Sequence, residues 1–215
     1  MRPFLILLSS PSGGGKTTIA KALVTAREDL EYSVSATTRA PREGEVDGVD
    51  YHYLSAAEFD KRRDGGEFLE WAEYGGSMYG TLEAQVDLAI EQRKHVILDI
   101  EVQGARQVRE RHSDVVSIFI LPPSAETLVK RLVGRDTSLD EDKLRQRLLR
   151  AVDELKEAPD YDYVVINEDR TQVVSEVAAI VDSESRRSHR DSELQENLNR
   201  LREDIGTLAN KLAFE

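Results

Sequence analysis

Apolar residues along the chain follow two rhythms. Unbroken runs at 4–8, 95–100 and 115–121 have the length and flanks of strands buried on both faces. Shorter runs at 32–36, 51–54 and 161–166 read the same way, and 68–74 with 77–79 around Gly75-Gly76 reads as a hairpin. Between the strands the spacing changes to that of helices. Ile19, Ala20, Leu23 and Val24 share one face after residue 16. Ser55 with Glu58 forms a capping box for a helix that stops near Gly65-Gly66. Thr81 is positioned to cap a helix to about Gln92, and further helices are predicted over 102–112 and 171–181. Ser124 and Asp140 are positioned to cap two charged helices after Pro122-Pro123. Strands alternating with helices predict an α/β fold, a mostly parallel central sheet with helices on both faces.

Composition narrows the class without changing this outline. The 215 residues are 40% hydrophobic and 33% charged, enough for one domain with a full core. There is no cysteine, which removes disulfides, thiolate chemistry and Cys-ligated zinc. The run at 4–8 is too short for a membrane span or a signal core, so no membrane partner and a cytoplasmic location are expected. Net charge is −12, which argues against a nucleic-acid partner. Arginines nevertheless gather at 39 and 42, at 131 and 135, and at 145, 147 and 150, and guanidinium groups suit bidentate capture of small anions.

The segment Ser10-Pro11-Ser12-Gly13-Gly14-Gly15-Lys16-Thr17, between a strand and a helix, has the form of a phosphate loop. Backbone N–H groups and a helix N-terminus converge there on a phosphate, and glycines let the backbone approach it. Ser12, Gly13, Gly14, Gly15, Lys16, Thr17 and Thr18 are the expected ATP contacts, with Lys16 on the β- and γ-phosphates and Thr17 on Mg2+. Ser10 stands where the pattern asks for glycine, at a position that need not have a positive φ. Asp99 closes a strand where an acidic residue supports the metal, although such a carboxylate also suits a helix cap. The loop leaves the acceptor open.

Residues 37–54, together with Phe68-Leu69-Glu70 and Tyr79-Gly80-Thr81, resemble the signature of the guanylate kinase family, and the resemblance runs from residue 4 to about 182. It implies a P-loop nucleoside-monophosphate kinase fold, with a GMP-binding insert at about 35–81 and a helical lid at about 124–154. It also implies transfer of the terminal phosphoryl group of ATP to GMP or dGMP. In that family's terms Arg39, Arg42, Tyr51 and Tyr79 hold the GMP phosphate, while Ser35, Glu70 and Thr81 read guanine. A carboxylate at Glu70 accepts both N1–H and the exocyclic amine of guanine, whereas adenine presents an acceptor at N1. Asp99 and Glu101 stand where the family carries an acidic pair beside GMP and the metal, the second commonly Asp. Arg131, Arg135 and Arg147 are the implied phosphate contacts of the lid, Lys16 and Arg39 their catalytic partners, and Asn167 an adenine contact. Arg150 has no such support and reads as surface. Two other readings are a scaffold that has lost ATP binding and a kinase for another phosphorylated acceptor. Retained Gly13, Gly15, Lys16 and Thr17 oppose the first; Ser35, Glu70 and Thr81 oppose the second.

Residues 183–192 are polar, a linker or an exposed helix continuation. Beyond them Leu194, Leu198, Leu201, Ile205, Leu208 and Leu212 alternate spacings of four and three. That spacing suits a short coiled coil, and hence a homodimer or larger homo-oligomer, and equally a helix lying back on its own domain. Gly206 weakens such a helix by about 1 kcal/mol.

Overall fold

The computed structural model describes residues 2–135 and 140–212, apart from the side chains of Arg135 and of 210–212. Five parallel strands form the central sheet: β1 (Leu5–Ser9), β2 (Leu30–Tyr32), β7 (His95–Asp99), β8 (Val115–Leu121) and β9 (Tyr163–Ile166), in the order β2-β7-β1-β8-β9. Strand β1 shows why its sequence does not alternate. Ile6 and Leu8 pack on one face against α1 (Lys16–Ala26) and α7 (Arg170–Ser185). Leu5 and Leu7 pack on the other against α3 (Glu83–Glu91) and α4 (Val102–Arg111). A strand covered on both faces is apolar at every position.

A second sheet, ordered β4-β3-β6-β5, is built from the segment in which the acceptor insert is expected. Its strands are β3 (Ala36–Thr37), β4 (His52–Tyr53), β5 (Phe68–Tyr74) and β6 (Ser77–Leu82). Helix α2 (Ala56–Asp64) covers its back, where Phe59 stacks on Phe68 with centroids 4.5 Å apart. The capping box is present: Ser55 and Glu58 exchange side-chain and backbone bonds. Helices α5 (Ala125–Arg135) and α6 (Glu141–Leu155), where the lid is expected, pack on each other around a small core of Leu128, Leu132 and Ala151. Ser124 accepts from the Thr127 N–H and Asp140 from that of Lys143, as their spacing predicts.

The fold differs from the sequence reading in three places. The expected strand at 32–36 is two strands in two sheets. Tyr32 pairs with Ile97 and the Ser33 N–H still reaches Ile97 O, but Ala36 pairs with His52 and Gly80. Thr81 caps no helix; it lies in β6, α3 begins after Leu82, and the Thr81 hydroxyl binds a carboxylate instead. Of the two readings of 183–192, helix continuation holds as far as Ser185, but Glu184, Ser185 and Arg190 are buried, not exposed. The Arg190 guanidinium lies on Glu184, on Asp114 and over the Phe4 ring. A buried guanidinium needs opposite charge close by, and these two carboxylates supply it. Helix α8 (Leu194–Leu212) follows, with Leu198, Leu201, Ile205 and Leu208 exposed. No helix among the described residues is long and apolar enough to cross a membrane.

Candidate active site

The C-terminal ends of β1 and β7, the polar face of the insert and the inner face of the lid enclose a cleft of about 1070 Å³. The phosphate loop forms its floor. Gly15 adopts φ 99°, a conformation that L side chains avoid, and hands the chain to α1 with Lys16 in the first turn. Ser10 is not among the residues with positive φ; it is buried, and its hydroxyl donates to Pro11 O. Lys16 Nζ lies 2.7 Å from Glu101 Oε1 and 3.8 Å from Asp99 Oδ1. Burial alone would lower the Lys16 pKa, but the two carboxylates outweigh it and raise it, so the ammonium stays charged. The Thr17 hydroxyl donates to Asp99 Oδ2.

These residues fit a magnesium ion. Asp99 Oδ1 and Glu101 Oε2 are buried without a hydrogen-bond partner, and buried carboxylate oxygens of that kind call for a cation. No cluster of three or more His, Asp or Glu among the described residues forms a cage for a metal. That donor set suits Mg2+, which keeps waters and phosphate oxygens as most of its ligands.

On the insert, strand period places the acceptor residues together. Glu70, Ala72 and Tyr74 pair with Thr81, Tyr79 and Ser77, so all six share one face. Glu70 is buried, and burial pushes its carboxyl up to about 7 despite the Thr81 hydroxyl donating to Oε1 at 2.7 Å. Its other oxygen lies against Gly104 in the first turn of α4, where any Cβ would collide with the carboxylate. Thr81 therefore stands behind Glu70, its hydroxyl already engaged. Ser35, Tyr51 and Tyr79 line the same cleft. Arg39 is held by Glu45 at 2.9 Å and lies over the Tyr51 ring at 5.3 Å. Arg42 is nearer solvent, 3.9 Å from Glu45. Burial would raise the Glu45 carboxyl, but bonds from Arg39, the Arg42 N–H and the Tyr53 hydroxyl bring it down to about 2.

From the lid, Arg131 and Arg147 reach the cleft. Arg131 donates to Gly14 O and Asn167 O, and the Asn167 side chain also donates to Gly14 O, so both brace the phosphate loop. Ser12, Gly13, Thr18, Asp99 and Glu101 line the cleft too, whereas Gly14 underlies it. The Arg135 side chain and residues 136–139 lie outside the described residues. Sequence reasoning missed Glu45, Gly104 and Arg150. Glu45 lies three residues after Arg42, a hint of an ion pair; a glycine inside a helix was the signal for a close approach at 104; Arg150 sits three residues from Arg147, on the same helix face.

Comparison with known proteins agrees over almost the whole chain. The sequence model of the family "Guanylate kinase" matches residues 1–184. A guanylate kinase of Symbiobacterium thermophilum is 45% identical over 186 residues, 86% of this chain and 88% of that protein. One of Clostridium perfringens is 44% identical over 203 residues, covering 94% and 92%. Among solved structures, guanylate kinase from Anaplasma phagocytophilum superposes with a TM-score of 0.76 at 32% identity, covering 93% of this chain and 95% of that one.

Proposed function

The chain belongs to the guanylate kinase family, its activity is that of a guanylate kinase, and on that premise we propose how its residues divide the work. The observation that carries the reading is Glu70, a buried carboxylate set on the acceptor face of the same cleft whose floor is the phosphate loop. Guanine's N1–H and exocyclic amine are donors that a carboxylate in this place accepts together. In pairing with it they favour its ionised form, against the burial that raises its pKa. Arg39, Arg42, Tyr51 and Tyr79 receive the acceptor phosphate, and Glu45 keeps Arg39 aimed at it. Ser35 completes the guanine pocket, and Thr81 contributes by orienting Glu70. Lys16 and the backbone of residues 12–18 receive the β- and γ-phosphates of ATP, while Arg131 and Asn167 hold the loop in shape.

Thr17 and Asp99, with Glu101 behind them, would hold Mg2+, whose positive charge would offset that of the ATP phosphates. No general base is required, because the attacking phosphate oxygen of GMP is already anionic. The chain's own contribution is alignment of the two phosphates and neutralisation of charge by Lys16, Arg39 and Arg147 as the phosphoryl group passes between them. Closure of α5 and α6 excludes water that would otherwise hydrolyse ATP. None of these groups reads a ribose 2′-hydroxyl, so dGMP serves as acceptor as well. The proposed setting is the cytoplasm.

The test is ADP formation with ATP, Mg2+ and, in turn, GMP, dGMP, AMP, CMP and UMP. Turnover with the two guanine nucleotides alone is expected; comparable turnover with AMP would refute the role given to Glu70. We also propose that the exposed apolar stripe of α8 pairs with that of a second copy. Removal of 193–215 is expected to reduce the particle mass in light scattering to that of a monomer, and an unchanged subunit number would refute the pairing.

A further inference from the structure

Helix α6 presents Arg150 to the cleft one turn beyond Arg147, and its guanidinium does not point into solvent alone. Its carbon lies 5.6 Å from the centre of the Tyr74 ring, and Nη1 approaches Gly75, where an added Cβ would stand 3.6 Å away. Both residues belong to the tip of the β5–β6 hairpin of the acceptor insert. The base of α6 is tied elsewhere: the Ser12 N–H of the phosphate loop donates to Glu154 Oε2 at 3.3 Å. Glu154 is buried although a carboxylate, and it lies four residues after Arg150 on the same helix face. The helix is thus pinned at its foot to the donor site and touched higher up by the acceptor insert.

Tyr74 and Glu70 stand on one face of one strand, ~13 Å apart at the usual rise per residue. A sheet strand moves as a unit, so a displacement that seats guanine on Glu70 is delivered to Tyr74 with little loss. We propose that Arg150 and Tyr74 form a link through which occupancy of the acceptor pocket draws α6, and with it Arg147, toward the phosphates of ATP. Arg150 is on this view a positioning residue, acting through Arg147. The link rests on the assignment of the insert as the GMP pocket. A guanidinium against an aromatic face suits such a link, because it slides without breaking a directional hydrogen bond and strengthens as water leaves.

The experiment is a double-mutant cycle on kcat/KM for ATP with Arg150→Ala, Tyr74→Leu and the pair, each measured at saturating and at low GMP. In the unaltered enzyme raised GMP is expected to lower the KM for ATP. Arg150→Ala is expected to lower kcat/KM for ATP roughly 3- to 10-fold, the range of a cation–π contact that desolvates on closure, and to abolish that GMP dependence. Tyr74→Phe keeps the ring and stays near the parent, while the double variant is no worse than either single one. Additive losses, or a KM for ATP indifferent to GMP in the parent, overturn the link. Failure of the parent to phosphorylate GMP at all would instead overturn the assignment of function. Should Tyr74→Leu fail to fold, Arg150→Ala and Arg150→Gln on the exposed lid face give the same reading through the GMP dependence alone.

Discussion

The acceptor insert and the lid each turn one face of a regular element toward the same cleft, yet they are held there by opposite means. The insert is a hydrogen-bonded sheet backed by Phe59, Phe68 and Ala36, and its polar side chains are held by partners within the same sheet and its loops. Glu70 already has Thr81, and Arg39 already has Glu45. The lid is a helical hairpin around three buried side chains, joined to the loop by Leu128 and Leu132 against Gly13, by Arg131 and by Glu154. Reading a base by hydrogen bonds demands fixed geometry, whereas delivering charge to a phosphate tolerates movement. The contrast recurs in two carboxylates of the insert: Glu70, buried with one hydroxyl, is pushed up, and Glu45, among several donors, is brought down.

Four changes break or sharpen that comparison. Lys16→Ala, on the floor shared by both regions, is expected to lower kcat ~10³-fold while the melting temperature moves little, as for loss of a group that acts on transition-state charge. Equal losses of activity and melting temperature would make Lys16 a structural residue. Glu70→Gln is expected to lower kcat/KM for GMP ~10²-fold by removing an acceptor that guanine needs. The same change tests burial. A carboxyl raised from 4.5 to about 7 keeps its proton in the folded chain after the unfolded chain has lost it, so folding stability falls as pH rises through that interval. Burial raises Glu154 to about 7 as well, so the glutamine variant should show a shallower decline and melt higher at pH 8, and an identical pH dependence would show that Glu70 is not a titrating group.

Glu45→Gln is expected to raise the KM for GMP roughly tenfold with little change in the KM for ATP, because Arg39 loses a charge-assisted partner. An effect spread evenly over both substrates would place Glu45 in general folding. Leu132→Ala opens a cavity beside the phosphate loop and is expected to cost the lid about 2–4 kcal/mol of packing. It should appear as faster hydrogen exchange in α5 and α6 and a kcat lowered only a few-fold, with exchange in the central sheet unchanged. Faster exchange spread across both sheets would mean that the lid does not open independently.

Much of this was legible without coordinates. The unbroken apolar runs determined a parallel sheet covered on both faces, and the strand–loop–helix pattern at residues 4–24 determined β1, the glycine-rich turn and α1. The runs at 68–74 and 77–79 around Gly75-Gly76 put Glu70 and Tyr79 on the two arms of one hairpin. Only the tertiary structure decided that the run at 32–36 divides between two sheets, and that Thr81 faces a carboxylate instead of capping a helix. It also decided that Arg190 returns the tail to the domain, that Arg150 lines the cleft, and that Glu45 stands behind Arg39 and Gly104 behind Glu70. The physical reason is one of range. Periodicity records which face of an element loses water, a property of neighbours along the chain. The partner that a polar side chain meets there comes from another element, and no local spacing encodes it.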